Sequence, residues 1–435
     1  MPLNSNQALE TASYVIKEIM QDYTPQAKSS LYFTNKLREV KQESNTVEFV
    51  KRLEDSGLLS ITARGQNSPL VKQGKYQKYT ASALEIKAMK MFNEEDLNNL
   101  LSLDKTNRGI AREHIRMEQE DLLMKGMNTQ EVMAWNAFAK GEIAYSQFDQ
   151  MAGVHFNPVK ISYPIQNRSL SDGLWWGEAT QTNVVSRDDI DNAIDRFKSV
   201  AGNPPTEIWM TNNTLKTLRN TTQITTAITN WYRSQNIGDV TPSDEQVARA
   251  FNWPAIKTYD KTFLVELIVD AAATAGSAVT INIRPSISSN TFGLNIGDIA
   301  FIGGNFLNGT YTESDVITAI DPGKSITLRT LDANLAAGAS IWVRPTFMPN
   351  DSIVLVDTTV ENMVWGFAPF GIGEDAMPMR WYGWQSTPFM MGEPNLATYY
   401  RVWNSLIPIM FSPKRIMKIK VRDLVEEYAA GKIGA

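Results

Sequence analysis

From Thr106 to Phe138 a dense run of charge is interrupted by Ile110, Ile115, Leu122, Met133 and Phe138. That narrow apolar stripe predicts one long helix, capped by Asp104 or Thr106, that needs a sheet to lie on. Gly126 inside it should weaken or bend it by about 1 kcal/mol relative to Ala. Nearer the start, Ala12, Val15, Ile16, Ile19 and Met20 suit an amphipathic helix in an otherwise polar stretch, which reads as an arm. Between Gly57 and Phe92 the pattern turns to strands at Ser60–Arg64 and Thr80–Ala88, where Leu84, Ile86 and Ala88 alternate with Glu85 and Lys87. Together they read as a long hairpin.

Past the long helix, Ile143 to Val185 is rich in strands and holds the pair Trp175 and Trp176, read as core or subunit contact before a stacking platform for a sugar or base. An α/β segment follows. Asp188 and Asp189 are expected to cap a helix carrying Ile190, Ile194, Phe197 and Ala201, stopped at 202–205. Glu207–Met210 reads as a buried strand, and Asn212 and Asn213 are expected to cap the next helix. Ser243 with Gln246 forms a capping box, and Ala255–Tyr259 reads as a strand.

From 261 to 345 charge thins and helical periodicity disappears. Strands are expected at Val279–Ile283, Ile299–Ile302, Thr310–Ile320, Ser325–Leu331 and Ser340–Val343, with turns at Asn308-Gly309 and Asp321-Pro322-Gly323-Lys324. Such spacing predicts a small β barrel or sandwich inserted into a host domain. The host resumes with the apolar run Ser352–Asp357 and ends in strands Leu406–Phe411 and Ile416–Val421 around Pro413.

Composition removes several chemistries. The 435 residues contain no cysteine and only two histidines, His114 and His155, which excludes disulfides, thiolate metal sites and a polyhistidine centre. No nucleotide-binding glycine motif and no nucleophile elbow occurs. Carboxylate groups such as Glu118, Glu120 and Asp121, or Glu426 and Glu427, read as solvated helix faces rather than a catalytic pair. The expectation is no catalytic residue, no cofactor and no metal. A net charge of −5 argues against gripping nucleic acid. No secretory signal and no membrane span is expected. Contact surface is plentiful: eleven tryptophans, and a hairpin tip whose Arg64, Lys72, Lys75 and Lys78 have no acidic residue among them. That tip reads as a solvated loop or as a docking arm for an acidic neighbour.

The order of elements resembles the lambda-type major capsid proteins of tailed bacteriophages, with the Hong Kong phage-type coat fold. Gly392-Glu393-Pro394, Trp403–Pro408 (WNSLIP) and Phe411–Val421 (FSPKRIMKIKV) look like that family's closing strands, and Met348–Thr358 (MPNDSIVLVDT) like the strand before them. The helix at Thr106–Phe138 and the hairpin fall where the family places its spine helix and extended loop. The 261–345 segment departs from the simplest members, and no long N-terminal scaffolding helix is evident.

The resemblance implies an α+β chain divided into an N-terminal arm (1–56), an extended loop (57–92), a peripheral domain with the spine helix (93–185), an axial domain (186–260 and 346–375) interrupted by the β module (261–345), and returning peripheral strands (376–435). It implies hexamers and pentamers of this chain forming an icosahedral shell around double-stranded DNA in the virion, assembled in the host cytoplasm. The implied partners are copies of itself, a scaffolding protein and a portal, with room for a decoration protein. Arg64, Lys72, Lys75 and Lys78 would lie on the adjacent subunit. The competing readings are an encapsulin-like compartment shell, separated by its neighbouring genes, and a glycan-binding or hydrolytic tail protein, separated by a glycan array.

Overall fold

The computed structural model describes residues 31–43, 46–52, 76–91, 105–146, 148–149, 154–155, 159–171, 174–177, 184–234, 243–284, 291–305, 310–371, 380–391 and 397–429. The chain is mixed α+β, as expected, and divides into two compact units. The first comprises residues 1–30, 35–126 and 363–411; the second comprises 31–34, 127–362 and 412–435. The expected N-terminal helix and the Ser60–Arg64 strand lie outside the described residues.

In the first unit the 14-residue strand Ala397–Met410 is the organiser. It pairs antiparallel with Leu84–Met91, with Gln385–Met391 and with Met363–Phe367, and Glu39–Lys41 adds in parallel to the last. A separate hairpin pairs Thr46–Arg52 with Tyr76–Ser82. The continuous alternation expected over Thr80–Ala88 is therefore divided at Ala83 between two partners. Arg64, Lys72 and Lys75 lie outside the described residues, and Lys78 sits in this hairpin opposite Val50.

The predicted long helix runs from Lys105 to Trp135 and closes in a π-helical turn, Asn136–Lys140, ended by Gly141 in the left-handed region. Its buried stripe is Ala111, Ile115, Gln119 and Leu123, an i, i+4 row. Ile110 is 62% exposed instead, because the register that suits the sheet admits a polar residue whose amide donates to the Ser386 hydroxyl. Gly126 is not a weak point. A Cβ there would overlap the Trp384 ring, so glycine is what lets the indole lie against the helix.

The second unit is built on a five-stranded mixed sheet in the order Ala255–Thr258, Glu207–Met210, Ser352–Val356, Ile416–Lys420, Gln166–Ser169. Ser352–Val356 is central and buried throughout, which explains its unbroken apolar run. Ile208, Met210, Ile353, Leu355, Met417 and Ile419 share one core with Ile190, Phe197, Leu215, Leu218, Ile224 and Val247 of helices Ser186–Ala201, Asn212–Asn220, Thr222–Ser234 and Asp244–Phe251. Trp175 and Trp176 are buried in that core.

Two expected caps are corrected. Asp188 and Asp189 fall in the first helical turn, where Asp189 accepts the Trp176 indole N–H at 3.1 Å, and the N-cap is Val185 with no side-chain cap bond. The next helix is capped by Thr211, one residue before Asn212, its hydroxyl accepting from the Thr214 amide. At the first a tertiary partner took the Asp189 side chain; at the second the local hydroxyl of Thr211 does the capping. The Ser243–Gln246 capping box is present in both directions.

The low-charge stretch forms a six-stranded sheet in which every pairing is antiparallel, in the order Val265–Ile268, Ser340–Val343, Ile299–Asn305, Thr310–Asp321, Ser325–Leu331, Gly276–Asn282. A bridge between Val269 and Ile283, with the Asp270 and Arg284 amides donating to Asn282 and Ile268, joins the outer strands and closes a barrel. The turn at Asp321–Lys324 has the expected bond, Lys324 N–H to Asp321 O at 3.0 Å, with Gly323 at φ +72°. The first strand, Val265–Ile268, was not anticipated. Leu267, Ile281, Ile317, Ile326, Leu328 and Ile341 fill the barrel with a core of its own.

Candidate functional site

Of the carboxylates that the sequence offered for chemistry, those of the long helix are engaged on its surface, whereas Glu427, expected on a solvated face, is buried against Arg422. Glu118 pairs with Lys90, Glu120 with Arg116 at 2.9 Å, and Asp121 with Lys125 at 2.7 Å. His114 is exposed on the long helix, and His155 lies opposite Phe148 in a two-residue ladder. Among the described residues no group of three or more histidines or carboxylates is placed to hold a metal ion, and no helix is long and apolar enough to cross a membrane.

The polar groups that do converge are buried, and they hold segments together. Glu131, fully buried near the end of the long helix, accepts from the Phe33 amide (3.0 Å), the Thr34 amide (2.8 Å), the Thr34 hydroxyl (2.9 Å) and the Trp135 indole (2.9 Å). Around it the Trp135 ring stacks on Tyr259 with centroids 4.7 Å apart, and Phe33 meets Trp135 edge-on at the same separation. Tyr32 packs 4.7 Å from Trp209. Burial, reinforced by the charges of Glu207 and Glu131, pushes the Tyr32 phenol up to about 12, and burial also raises Tyr259. Both rings therefore stay neutral and serve as packing. Residues 31–34 are thus latched into the second unit by one carboxylate inside an aromatic box.

Two more clasps order the C-terminal end. Asp357, directly after the central strand, accepts from the Thr359 amide and hydroxyl (3.0 and 2.6 Å) and from Arg415 at 2.8 Å. Burial opposes its ionisation, but the Thr359 bonds and the Arg415 charge outweigh it and hold the carboxyl below its usual value. Arg422, 1% exposed, forms a two-pronged pair with Glu427 of the short helix Leu424–Ala429. That helix lies on the barrel: Leu424 meets Gly297, and Tyr428 lies under the Arg329 guanidinium, which itself pairs with the buried Asp315.

A cavity of about 300 Å³ opens where the π-helical turn meets the barrel, lined among others by Asn136, Lys140, Glu142, Asn295, Asp351 and Lys418. Sequence pattern alone missed Glu131, Lys140, Asp298, Asp357 and Arg422. Each is a charged residue whose partner is not visible in its own stretch of sequence; the one available signal was position, with Glu131 directly before the apolar Val132–Trp135 and Asp357 at the end of an apolar run.

Residues 17–266, more than half of the chain, match the family model described as phage major capsid protein E. This chain belongs to that capsid protein family. The expected kinship with tailed-phage major capsid proteins is thereby met. No curated protein matches the chain. Solved structures similar to this capsid protein include a prophage protein of E. coli CFT073 described as a capsid protein (12% identity, 97% of this chain and 99% of that one, TM-score 0.43). The mature capsid of bacteriophage PhiM1 (10%, 90% and 86%, 0.39) and an encapsulin of Synechococcus elongatus PCC 7942 (10%, 90% and 86%, 0.34) are also similar. At such identities and scores these likenesses carry no functional argument, and the family match alone decides the class.

Proposed function

We propose that this chain is the shell-building subunit of a phage head, acting through contact with copies of itself rather than through a reaction centre. The observation that carries the proposal is family membership across residues 17–266. Copies tile as hexamers and pentamers into an icosahedral shell that encloses double-stranded DNA without reading its sequence. Assembly takes place in the host cytoplasm with a scaffolding protein and a portal. A net charge of −5 suits a wall better than a DNA clamp. Head-to-tail contacts make closed rings when the rotation per subunit closes, so one chain can supply both capsomer types.

Within this proposal the basic residues Arg64, Lys72, Lys75 and Lys78 belong to a loop lying across the adjacent subunit, where charge sets register more than affinity. The barrel in the 261–345 segment is a module inserted in the axial domain that braces neighbouring capsomers or does the work of a decoration protein. Electron microscopy of the purified protein, with and without its scaffold, tests the main claim: closed shells are expected, and a monomer that stays single at high concentration overturns it. Removing residues 261–345 should give less stable shells, and unchanged shells would dispose of the bracing role.

A further inference from the structure

The junction between the barrel and the π-helical turn holds a buried carboxylate, Asp298, and a half-buried ammonium, Lys140. Its loop, residues 291–298, is held closely by shape. Gly293 and Gly297 have φ of +89° and +90°, and a Cβ on either would run into Phe263 and Val132, or into Leu424. The loop carries Asp298, 8% exposed, whose carboxylate accepts the Asn295 amide at 2.6 Å. The Asn295 side-chain oxygen is buried with no partner, although its nitrogen reaches Thr346 O. From the other side Lys140 extends its ammonium to Leu294 O at 3.4 Å.

We infer that the 291–298 loop is a proton-operated latch, seated on the end of the long helix when Asp298 is protonated and loosened when it ionises beside Lys140. The other charges acting on the pair stand on three neighbouring elements. Glu142 and Lys418 stand on flanking strands, the former paired with Lys160 at 2.5 Å, and Asp351 precedes the central strand and accepts the Ser352 hydroxyl at 2.6 Å. Tyr145 also lines the cavity, its phenol held neutral by burial.

Burial raises Asp298 to about 7, against the pull of the Asn295 bonds and Lys140, and burial lowers Lys140 to about 8. The signs follow from proton counting. Between the ordinary aspartate value and about 7 the closed loop holds more protons than the open one, so closure weakens as pH rises through that range. Above about 8 the closed loop holds fewer protons at Lys140, so closure strengthens again. The weakest latch falls between the two, near neutrality.

The test is amide hydrogen exchange on the full chain, read on peptides covering 291–298 and corrected for intrinsic rate, from pH 5 to 8. The opening constant of the wild type should rise roughly tenfold or more, since each unit of pKa difference is worth a factor of ten. A flat wild-type profile overturns the latch and needs no variant to interpret. Asp298→Asn should flatten the rise. Lys140→Met, by removing the cation that favours ionised Asp298, should move its midpoint upward, and an unmoved midpoint rejects the pairing. The experiment reads one loop within one chain, so its outcome is independent of whether shells form.

Discussion

Replacing Glu131 by Gln tests whether one carboxylate holds residues 31–34 in place. The change is isosteric, so the aromatic box is untouched and only the acceptor pattern alters. Oε1 takes the Phe33 amide and the Trp135 indole, and Oε2 takes the Thr34 amide and hydroxyl. A carboxamide keeps one oxygen for the Phe33 amide and the Trp135 indole and turns its NH2 toward Thr34, whose hydroxyl can rotate to accept, so the bond from the Thr34 amide is lost and that N–H faces another donor. The loss is about 1.5–3 kcal/mol, a sizeable share of the roughly 5–15 kcal/mol that holds a typical domain. The loss is local, so the segment should peel away before the unit unfolds. Hydrogen exchange at Phe33 and Thr34 in the full chain should lose most of its protection, accompanied by a lower Tm. If the Thr34 amide stays protected and the apparent stability moves by less than about 1 kcal/mol, the anchoring argument fails, because a buried N–H turned toward another donor could not be that cheap.

Gly126→Ala should destabilise in spite of a helix-propensity gain of about 1 kcal/mol, because the new methyl overlaps Trp384; overpacking of this kind costs about 1–3 kcal/mol, and a raised Tm would refute it. Arg422→Ala leaves Glu427 buried without its cation and should cost about 3–5 kcal/mol by denaturant titration. The Arg422→Ala and Glu427→Ala double change should recover part of that cost, and no recovery would mean the two do not form a coupled pair. Asp357, held below its usual pKa in the fold, contributes stability that is present above the unfolded carboxylate pKa and is lost as pH falls through the folded one. Asp357→Asn should therefore flatten the acid limb of a Tm-against-pH curve, and an unchanged limb would assign acid sensitivity elsewhere.

Elements whose pattern is local were legible from residues alone. The long helix, the capping box at Ser243, the strands from Thr310 to Leu331 and the Pro-Gly turn between them all occur where expected. The register of the long helix was not legible. Ile110 looked like a core position, yet the buried row runs through Ala111 and Gln119, the latter admitted by a partner, the Ser386 hydroxyl, that lies 267 positions away. Val265–Ile268 also escaped notice, since it holds Glu266 and finds its place only by pairing with Ser340–Val343.

The amino-acid order by itself determined the local character of the molecule: periodicities of helix and strand, the turn chemistry, the absence of thiols and the presence of only two imidazoles. These depend on neighbours a few residues apart, and a short window contains all the physics they need. The buried charges were decided by tertiary structure alone. Glu131 finds its donors 97 and 98 positions away, and Asp357 its guanidinium 58 away. A charged side chain tolerates burial only when distant groups arrive to replace water, and that arrival is a property of the fold.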